Sequence, residues 1–261
     1  MSGTAIRLER ILDRTTGKAF IVPLDHGATM GPMPGLFDIR DTVAKVADGG
    51  ATAVLMHKGL IDTGHRKCGR DLGLIVHLSA GSIYSSDPGR KVLVTSVEEA
   101  LRRGADAVSI HLNIGGESEA AMLEEAGAVS DACNAWGVPL LAMVYPRGSA
   151  AEQPESVRTC VRVAAELGAD IVKTAYTGSV ESFREVTKGC PIPVLIAGGP
   201  QMGSDRAFLT MVSDAMKAGA GGVSIGRGIF GHPDIVGMCS AVSDIVFRNA
   251  DVDTALARIR A

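Results

Sequence analysis

The chain has 261 residues, of which 46% are hydrophobic and 21% charged, with 32 glycines and 4% aromatics. That balance excludes disorder, collagen and a small disulfide scaffold. A formal net charge of -3 offers no basic field for a phosphodiester backbone or an anionic lipid surface, so neither nucleic acid nor membrane partners are expected.

The N-terminal stretch Ile6-Arg7-Leu8-Glu9-Arg10-Ile11-Leu12 is amphipathic where a signal peptide needs an unbroken apolar core, and no later run approaches the ~18 apolar residues of a spanning helix. The five cysteines, Cys68, Cys133, Cys160, Cys190 and Cys239, are scattered and form no C-x-x-C pair, which points to reduced thiols in the cytoplasm. From there, short apolar runs recur: Ala19 to Leu24, Ala53 to Met56, Val92 to Val94, Ala107 to Ile110, Leu140 to Val144, Ile171 to Val172, Val194 to Ala197, and Val223 to Ile225. They lack polar alternation, as strands buried on both faces do, and helix-length segments separate them.

A repeat sharpens the pattern. Gly50-Ala51-Thr52-Ala53-Val54, Gly104-Ala105-Asp106-Ala107-Val108, Gly168-Ala169-Asp170-Ile171-Val172 and Gly219-Ala220-Gly221-Gly222-Val223 share Gly-Ala-x-x-Val at intervals of about 50 to 65 residues, the length of two βα units. Each glycine suits the left-handed position just past a helix. The sequence therefore predicts an α/β fold, a single (β/α)8 TIM barrel occupying residues 1–261 as one domain. A doubly wound open sheet carries the same local signals and is the alternative.

In such barrels the reacting groups lie where strands end. The predicted strand ends are Asp25-His26-Gly27, His57-Lys58-Gly59, His111-Leu112-Asn113, Tyr145-Pro146-Arg147-Gly148, Lys173-Thr174-Ala175-Tyr176, Gly198-Gly199-Pro200 and Gly226-Arg227-Gly228. Lys173 closes a buried strand, where desolvation lowers an ammonium pKa and leaves free amine able to form an iminium with a ketone. Lys58 is second choice for that role. Tyr145, held by Pro146, suits proton transfer, and Asp25 suits an ionised base or acceptor. Gly198, Gly199, Gly226 and Arg227 follow the last two strands, where barrels hold a phosphate monoester.

Two decoys are set aside. Gly226-Arg227-Gly228-Ile229-Phe230-Gly231 fits G-x-G-x-x-G, yet too little chain follows to complete a dinucleotide-binding unit. The six histidines, His26, His57, His65, His77, His111 and His232, show no H-x-x-H or H-x-E spacing, so no metal and no cofactor are expected. A phosphosugar-binding barrel without catalysis is the non-enzymatic alternative.

The segments Val22-Pro23-Leu24-Asp25-His26-Gly27, Gly31-Pro32-Met33-Pro34-Gly35, His57-Lys58-Gly59, Tyr145-Pro146-Arg147-Gly148, Asp170 to Gly178 and Ala197-Gly198-Gly199-Pro200 resemble the archaeal-type class I aldolase family over nearly the whole chain. Within it they are most similar to the branch of 2-amino-3,7-dideoxy-D-threo-hept-6-ulosonate synthases. The resemblance implies a Schiff-base lysine at Lys173, a proton-donating Tyr145 and a proton-accepting Asp25. It also implies substrate contacts from Asp25, His26, Gly27, Ala28 and Thr29 and from Tyr145, Pro146 and Arg147, with phosphate near Gly198, Gly199, Gly226 and Arg227. The implied substrates are a phosphorylated ketose donor and a small aldehyde, L-aspartate 4-semialdehyde, in a homo-oligomer that is often a decamer in this family. The synthase branch takes its donor fragment from a 6-deoxy-5-ketohexose phosphate, on a route to 3-dehydroquinate and aromatic amino acids. A related synthase of secondary metabolism uses dihydroxyacetone phosphate, and another branch cleaves fructose 1,6-bisphosphate. The stretch after Gly148 is a few residues shorter than in typical archaeal members, and arginine outnumbers lysine, so both branches stay open.

Overall fold

The computed structural model describes residues 3–65, 71–149, 151, 153–199 and 202–260; Cys68 and Pro200 lie outside them. Ten strands form in chain order: β1 (Ala19–Pro23), β2 (Ala53–Met56), β3 (Gly73–His77), β4 (Ser79–Ala80), β5 (Val92–Leu93), β6 (Ala107–Ile114), β7 (Leu140–Pro146), β8 (Ile171–Thr174), β9 (Val194–Ala197) and β10 (Gly222–Ser224). Eight close a parallel barrel in the order β1-β10-β9-β8-β7-β6-β3-β2, and β4 and β5 make a separate antiparallel pair. The TIM-barrel expectation holds and the open-sheet alternative does not.

One strand assignment is corrected. The third barrel strand is Gly73–His77, wholly buried, and not Val92–Val94. Val92 and Val94 are 43% and 42% exposed, so their apolar run belongs to an excursion above the barrel. The true strand begins at a glycine because the floor leaves no room. A Cβ at Gly73 would sit 2.5 Å from the Arg10 carbonyl oxygen and 2.9 Å from Ile11 Cδ1.

Around the barrel run α1 (Gly3–Leu8), α2 (His26–Met30), α3 (Ile39–Asp48), a 3-10 turn (Lys58–Leu60), α4 (Ile61–Gly64), α5 (Val97–Arg102), α6 (Glu119–Trp136), α7 (Pro154–Glu166), α8 (Val180–Lys188), α9 (Asp205–Lys217), α10 (Arg227–Phe230), α11 (Ile235–Arg248) and α12 (Val252–Leu256). Among the described residues no helix is long and apolar enough to cross a membrane. Cys133, Cys160, Cys190 and Cys239 are buried free thiols.

The Gly-Ala repeat is a structural joint used four times. Gly50, Gly104, Gly168 and Gly219 have φ of +103°, +87°, +91° and +93°, a region that penalises any Cβ. The following alanine N–H, in each copy, donates to the carbonyl five residues back at 3.0–3.1 Å, the bond that ends a helix in a Schellman turn. In three copies the next residue also clamps the preceding strand. Thr52 Oγ1 accepts from Phe20 N–H at 3.0 Å, Asp106 Oδ2 from Leu74 N–H at 2.9 Å and Asp170 Oδ2 from Leu140 N–H at 2.8 Å. Gly221 stands at that place in the fourth copy.

Side chains alternate in and out along each strand. Phe20, Val22, Val54, Val76, Val108, Val144, Val172 and Ile196 face the helices. Ala19, Ile21, Ala53, Leu55, Ile75, Ala107, Leu141, Met143, Ile171 and Leu195 fill the interior, sealed below by Leu8, Ile11 and Leu12. Lys173 sits two residues beyond interior Ile171, and Tyr145 two beyond interior Met143. The same two-residue period that packs the floor therefore delivers the amine and the phenol to the mouth.

Candidate active site

The inward positions at the strand ends converge on one cleft. Two adjoining cavities, of about 300 and 340 Å3, share His26, His111, Tyr145, Arg147 and Lys173. The first extends under the β4–β5 excursion past Asp25, Thr29, His57, His77 and Lys91. The second extends along the ends of β9 and β10 past Gly198, Gly199, Ser224, Gly226 and Arg227.

Lys173 is 7% exposed. Its Nζ has Met143 Sδ, a weak acceptor, at 3.9 Å as its hydrogen-bond contact. Burial, aided by the positive Arg227 and opposed by Asp25, holds its pKa below the ordinary lysine value. Free amine in reach of a carbonyl is the requirement for carbinolamine and iminium formation. Asp25 stands two residues past β1, at the residue before α2, and its side chain makes no capping hydrogen bond to that helix. Burial alone would raise its pKa, but His77, His26 and Lys173 prevail and hold the carboxyl below the usual range, so it is a carboxylate at neutral pH. Its oxygens lie 3.5 Å from His26 Nδ1 and 3.8 Å from His77 Nε2.

Burial, reinforced by Asp25, pushes the Tyr145 phenol up; it keeps its proton until a neighbouring alkoxide or amine demands it. The ring lies 5.3 Å from that of His111, and the Arg147 guanidinium carbon is 6.0 Å from the Tyr145 ring centroid. His111 Nε2 is 3.1 Å from Asn113 Oδ1, which also accepts from Arg147 Nε at 2.9 Å. His77 Nδ1 lies 2.7 Å from Ser109 Oγ. Burial lowers the His77 pKa to about 4 and the His111 pKa to about 3. Both imidazoles are therefore neutral near pH 7, leaving charge in the cleft to Asp25 and the cations.

The β9 and β10 loops approach closely. A Cβ at Gly226 would stand 2.6 Å from both His26 Cε1 and the Pro23 carbonyl oxygen, and one at Gly198 would stand 2.7 Å from Ile225 Cγ2; Gly199 has φ of +63°. Arg227 Nη2 donates to the Gly199 carbonyl at 3.0 Å, tying the two loops together. Ser224 Oγ is buried with no partner and lines this half of the cleft. An unpaired buried hydroxyl beside an arginine and three glycines suits an anionic oxygen as ligand.

Of the residues named from sequence, Lys173, Tyr145, Asp25, His26, Thr29, Arg147, Gly198, Gly199, Gly226 and Arg227 line the cleft. Gly27 and Ala28 are exposed on α2, and Pro146 is buried on the outward side of β7; these three do not line it. Lys58, the second-choice amine, faces away from the interior and donates to the Val94 carbonyl at 2.8 Å. Sequence reasoning assigned no role to His57, His77, His111, Ser224 or Lys91. Counting alternate positions from Leu55, Ser109 and Gly222 finds His57, His111 and Ser224, whereas His77 is hidden by the misplaced third strand and Lys91 by the fold of the excursion that carries it.

Comparison with known proteins gives a consistent picture. The family model described as DeoC/LacD family aldolase matches residues 19–232. A 2-amino-3,7-dideoxy-D-threo-hept-6-ulosonate synthase of Archaeoglobus fulgidus is 44% identical over 97% of this chain and 94% of its own. A 2-amino-4,5-dihydroxy-6-oxo-7-(phosphonooxy)heptanoate synthase of Streptomyces griseus is 42% identical over 93% of this chain and 89% of its own. Among solved structures, a Schiff-base-forming fructose-1,6-bisphosphate aldolase superposes with a TM-score of 0.87 at 29% identity, covering 94% of this chain and 100% of the other.

Proposed function

The chain belongs to the DeoC/LacD family of aldolases, and on that premise we propose that it joins a three-carbon ketone fragment of a phosphorylated ketose to L-aspartate 4-semialdehyde through a Schiff base on Lys173. The product names of the two synthases carry the substrate argument. Each describes a seven-carbon 2-amino acid with a ketone at carbon 6. An aldol disconnection of such a molecule breaks the bond between carbons 4 and 5. It leaves a three-carbon ketone and a four-carbon amino aldehyde, which is aspartate semialdehyde.

The buried amine of Lys173 attacks the donor ketone, and Tyr145 supplies the proton that lets hydroxide leave the carbinolamine as water. In the cleavage of a longer ketose, Asp25 takes the hydroxyl proton as the carbon–carbon bond breaks, and the electron pair moves into the iminium to give an enamine. The enamine carbon then attacks the aldehyde, the proton held by Asp25 passes through Tyr145 to the new alkoxide, and hydrolysis of the iminium by water frees the lysine and returns a proton to Tyr145. Arg147 and Arg227 orient anionic ends of the substrates.

The donor is a 6-deoxy-5-ketohexose phosphate, cleaved and transferred as a transaldolase does. Dihydroxyacetone phosphate is a second reading, favoured by the cradle of Gly198, Gly199, Gly226, Ser224 and Arg227 beside Lys173, which suits a phosphate that stays on the fragment. Soluble protein of this branch in a cytoplasmic homo-oligomer, with decamers the expected form, completes the reading. The test is incubation with each donor and sodium borohydride, followed by peptide mass spectrometry. One donor should leave a reduced adduct on Lys173, lost in Lys173→Ala, and aspartate semialdehyde should convert that donor to the seven-carbon amino acid. An adduct that persists in Lys173→Ala, or the absence of any adduct with either donor, refutes the proposal.

A further inference from the structure

The cleft carries more positive charge than Lys173 and a single phosphate account for. Lys91, Arg147, Lys173 and Arg227 line it against one carboxylate, Asp25. Lys173 and Asp25 act on the reacting carbons and Arg227 belongs to the β9–β10 side. Lys91 and Arg147 are left on the opposite side, under the excursion, and neither has a carboxylate within ion-pair distance among the described residues. Asp87, the acidic group closest in charge effect, is exposed and accepts instead from Ser118 Oγ at 2.6 Å.

Lys91 is fixed where it is. It stands one residue before β5, and its Nζ donates to the Gly81 carbonyl at 3.0 Å across the base of the excursion. That bond uses one of three ammonium protons. The excursion is in turn tied to three elements. Ile83 N–H donates to the Thr29 carbonyl at 3.0 Å, Asn113 Nδ2 donates to the Gly89 carbonyl, and Arg90 pairs with Glu125 on α6. Arg147 spends Nε on Asn113 Oδ1, and its terminal nitrogens make no hydrogen bond among the described residues. Burial and then the Arg147 charge push the Lys91 pKa down, as expected of two cations facing a space without a counter-ion.

We infer that Lys91, with Arg147, binds the α-carboxylate of the aldehyde acceptor and so selects an amino-acid aldehyde over a neutral one. This rests on the Schiff-base reading above, because the acceptor carboxylate lies three carbon–carbon bonds from the atom the enamine attacks. An acceptor standing over Lys173 with its chain directed away from Arg227 brings that carboxylate under the excursion. A half-buried lysine there gives a charge-assisted contact in one direction and leaves a partly desolvated cation unpaired when the acceptor lacks the anion, so it both attracts the right partner and disfavours the wrong one.

The test compares wild type, Lys91→Met and Lys91→Arg with two acceptors, aspartate semialdehyde and propionaldehyde. In Lys91→Met, kcat/KM for aspartate semialdehyde should fall about 10- to 100-fold, mainly through KM, while the value for propionaldehyde stays within about threefold. Lys91→Arg should recover most of the loss. An equal fall with both acceptors makes Lys91 a scaffold residue and overturns the inference, as does no fall with aspartate semialdehyde. Borohydride trapping of the donor on Lys173 is measured in parallel. Failure to trap in wild type refutes the Schiff-base reading itself, whereas trapping in wild type with no preference for the charged acceptor refutes only the role of Lys91.

Discussion

The floor and the mouth of the barrel are made by the same strands on the same two-residue period, yet they meet opposite demands. At the floor the inward positions are Ala19, Ile21, Ala53, Leu55, Ala107 and Ile171, packed on Ile11 and closed off by Leu8 and Leu12. At the mouth the next inward positions are Lys173, Tyr145, His77 and His111, whose burial works against charge. The floor gains stability from each side chain, while the mouth holds groups whose ionised forms burial opposes. A chemical site on this scaffold is thus the point where an otherwise apolar column changes residue type.

That contrast can be broken from either end. The largest effect should come from Tyr145→Phe, which removes only a hydroxyl. We expect kcat to fall by about 10²- to 10⁴-fold, the range for a lost general acid, with the melting temperature nearly unchanged. A large loss of stability without loss of rate would place Tyr145 with the floor.

Acid should act on the mouth first. His77 and His111 have pKa values of about 4 and about 3 in the fold, below the ordinary histidine value of 6.5, so the unfolded chain binds more protons as pH falls. The contribution of these two imidazoles to stability is complete above pH 6.5 and is lost as pH falls from there towards 3. Denaturant titrations at pH 7 and pH 4 should show a smaller drop in a His77→Asn, His111→Asn double variant than in wild type. An equal drop would assign the acid sensitivity elsewhere.

The smallest effect sharpens the description of the joints. Gly104 has φ of +87° and no atom within 4 Å of the place a Cβ would take, so Gly104→Ala isolates backbone strain from packing. It should cost about 1 kcal/mol, less for Gly104→Asn, with kcat unchanged in both. No change in the denaturation midpoint of Gly104→Ala would mean that the joint accommodates a side chain.

Much of this was legible in the sequence. The four Gly-Ala joints and the unbroken apolar runs specify parallel buried strands two units at a time, and the left-handed glycines lie where the pattern put them. The third strand was not legible because Leu74-Ile75-Val76 is an apolar run no longer than Val92-Leu93-Val94, and the glycine that opens it is there for a tertiary reason, the close approach of Arg10 and Ile11, which no local propensity reports. The less exposed-looking Val92-Leu93-Val94 took its place. At the mouth, reading whichever polar residue follows an apolar run ranks Lys173 first but keeps Lys58 as a second choice for the same role. Parity separates them: Lys173 is two residues from interior Ile171, whereas Lys58 is three from interior Leu55 and faces outward. Lys91 was beyond such reasoning because its position depends on how an excursion folds back over the rim.

The β4–β5 pair contributes no rung to the barrel ladder; it is held from outside by contacts with the α2 loop, β6 and α6. An insertion fastened in this way behaves as a cassette. Its length and sequence can drift, or be exchanged with that of a relative, without moving the rigid strands that aim the amine. On the role inferred for Lys91, the choice of acceptor is then separable from the chassis that holds the amine.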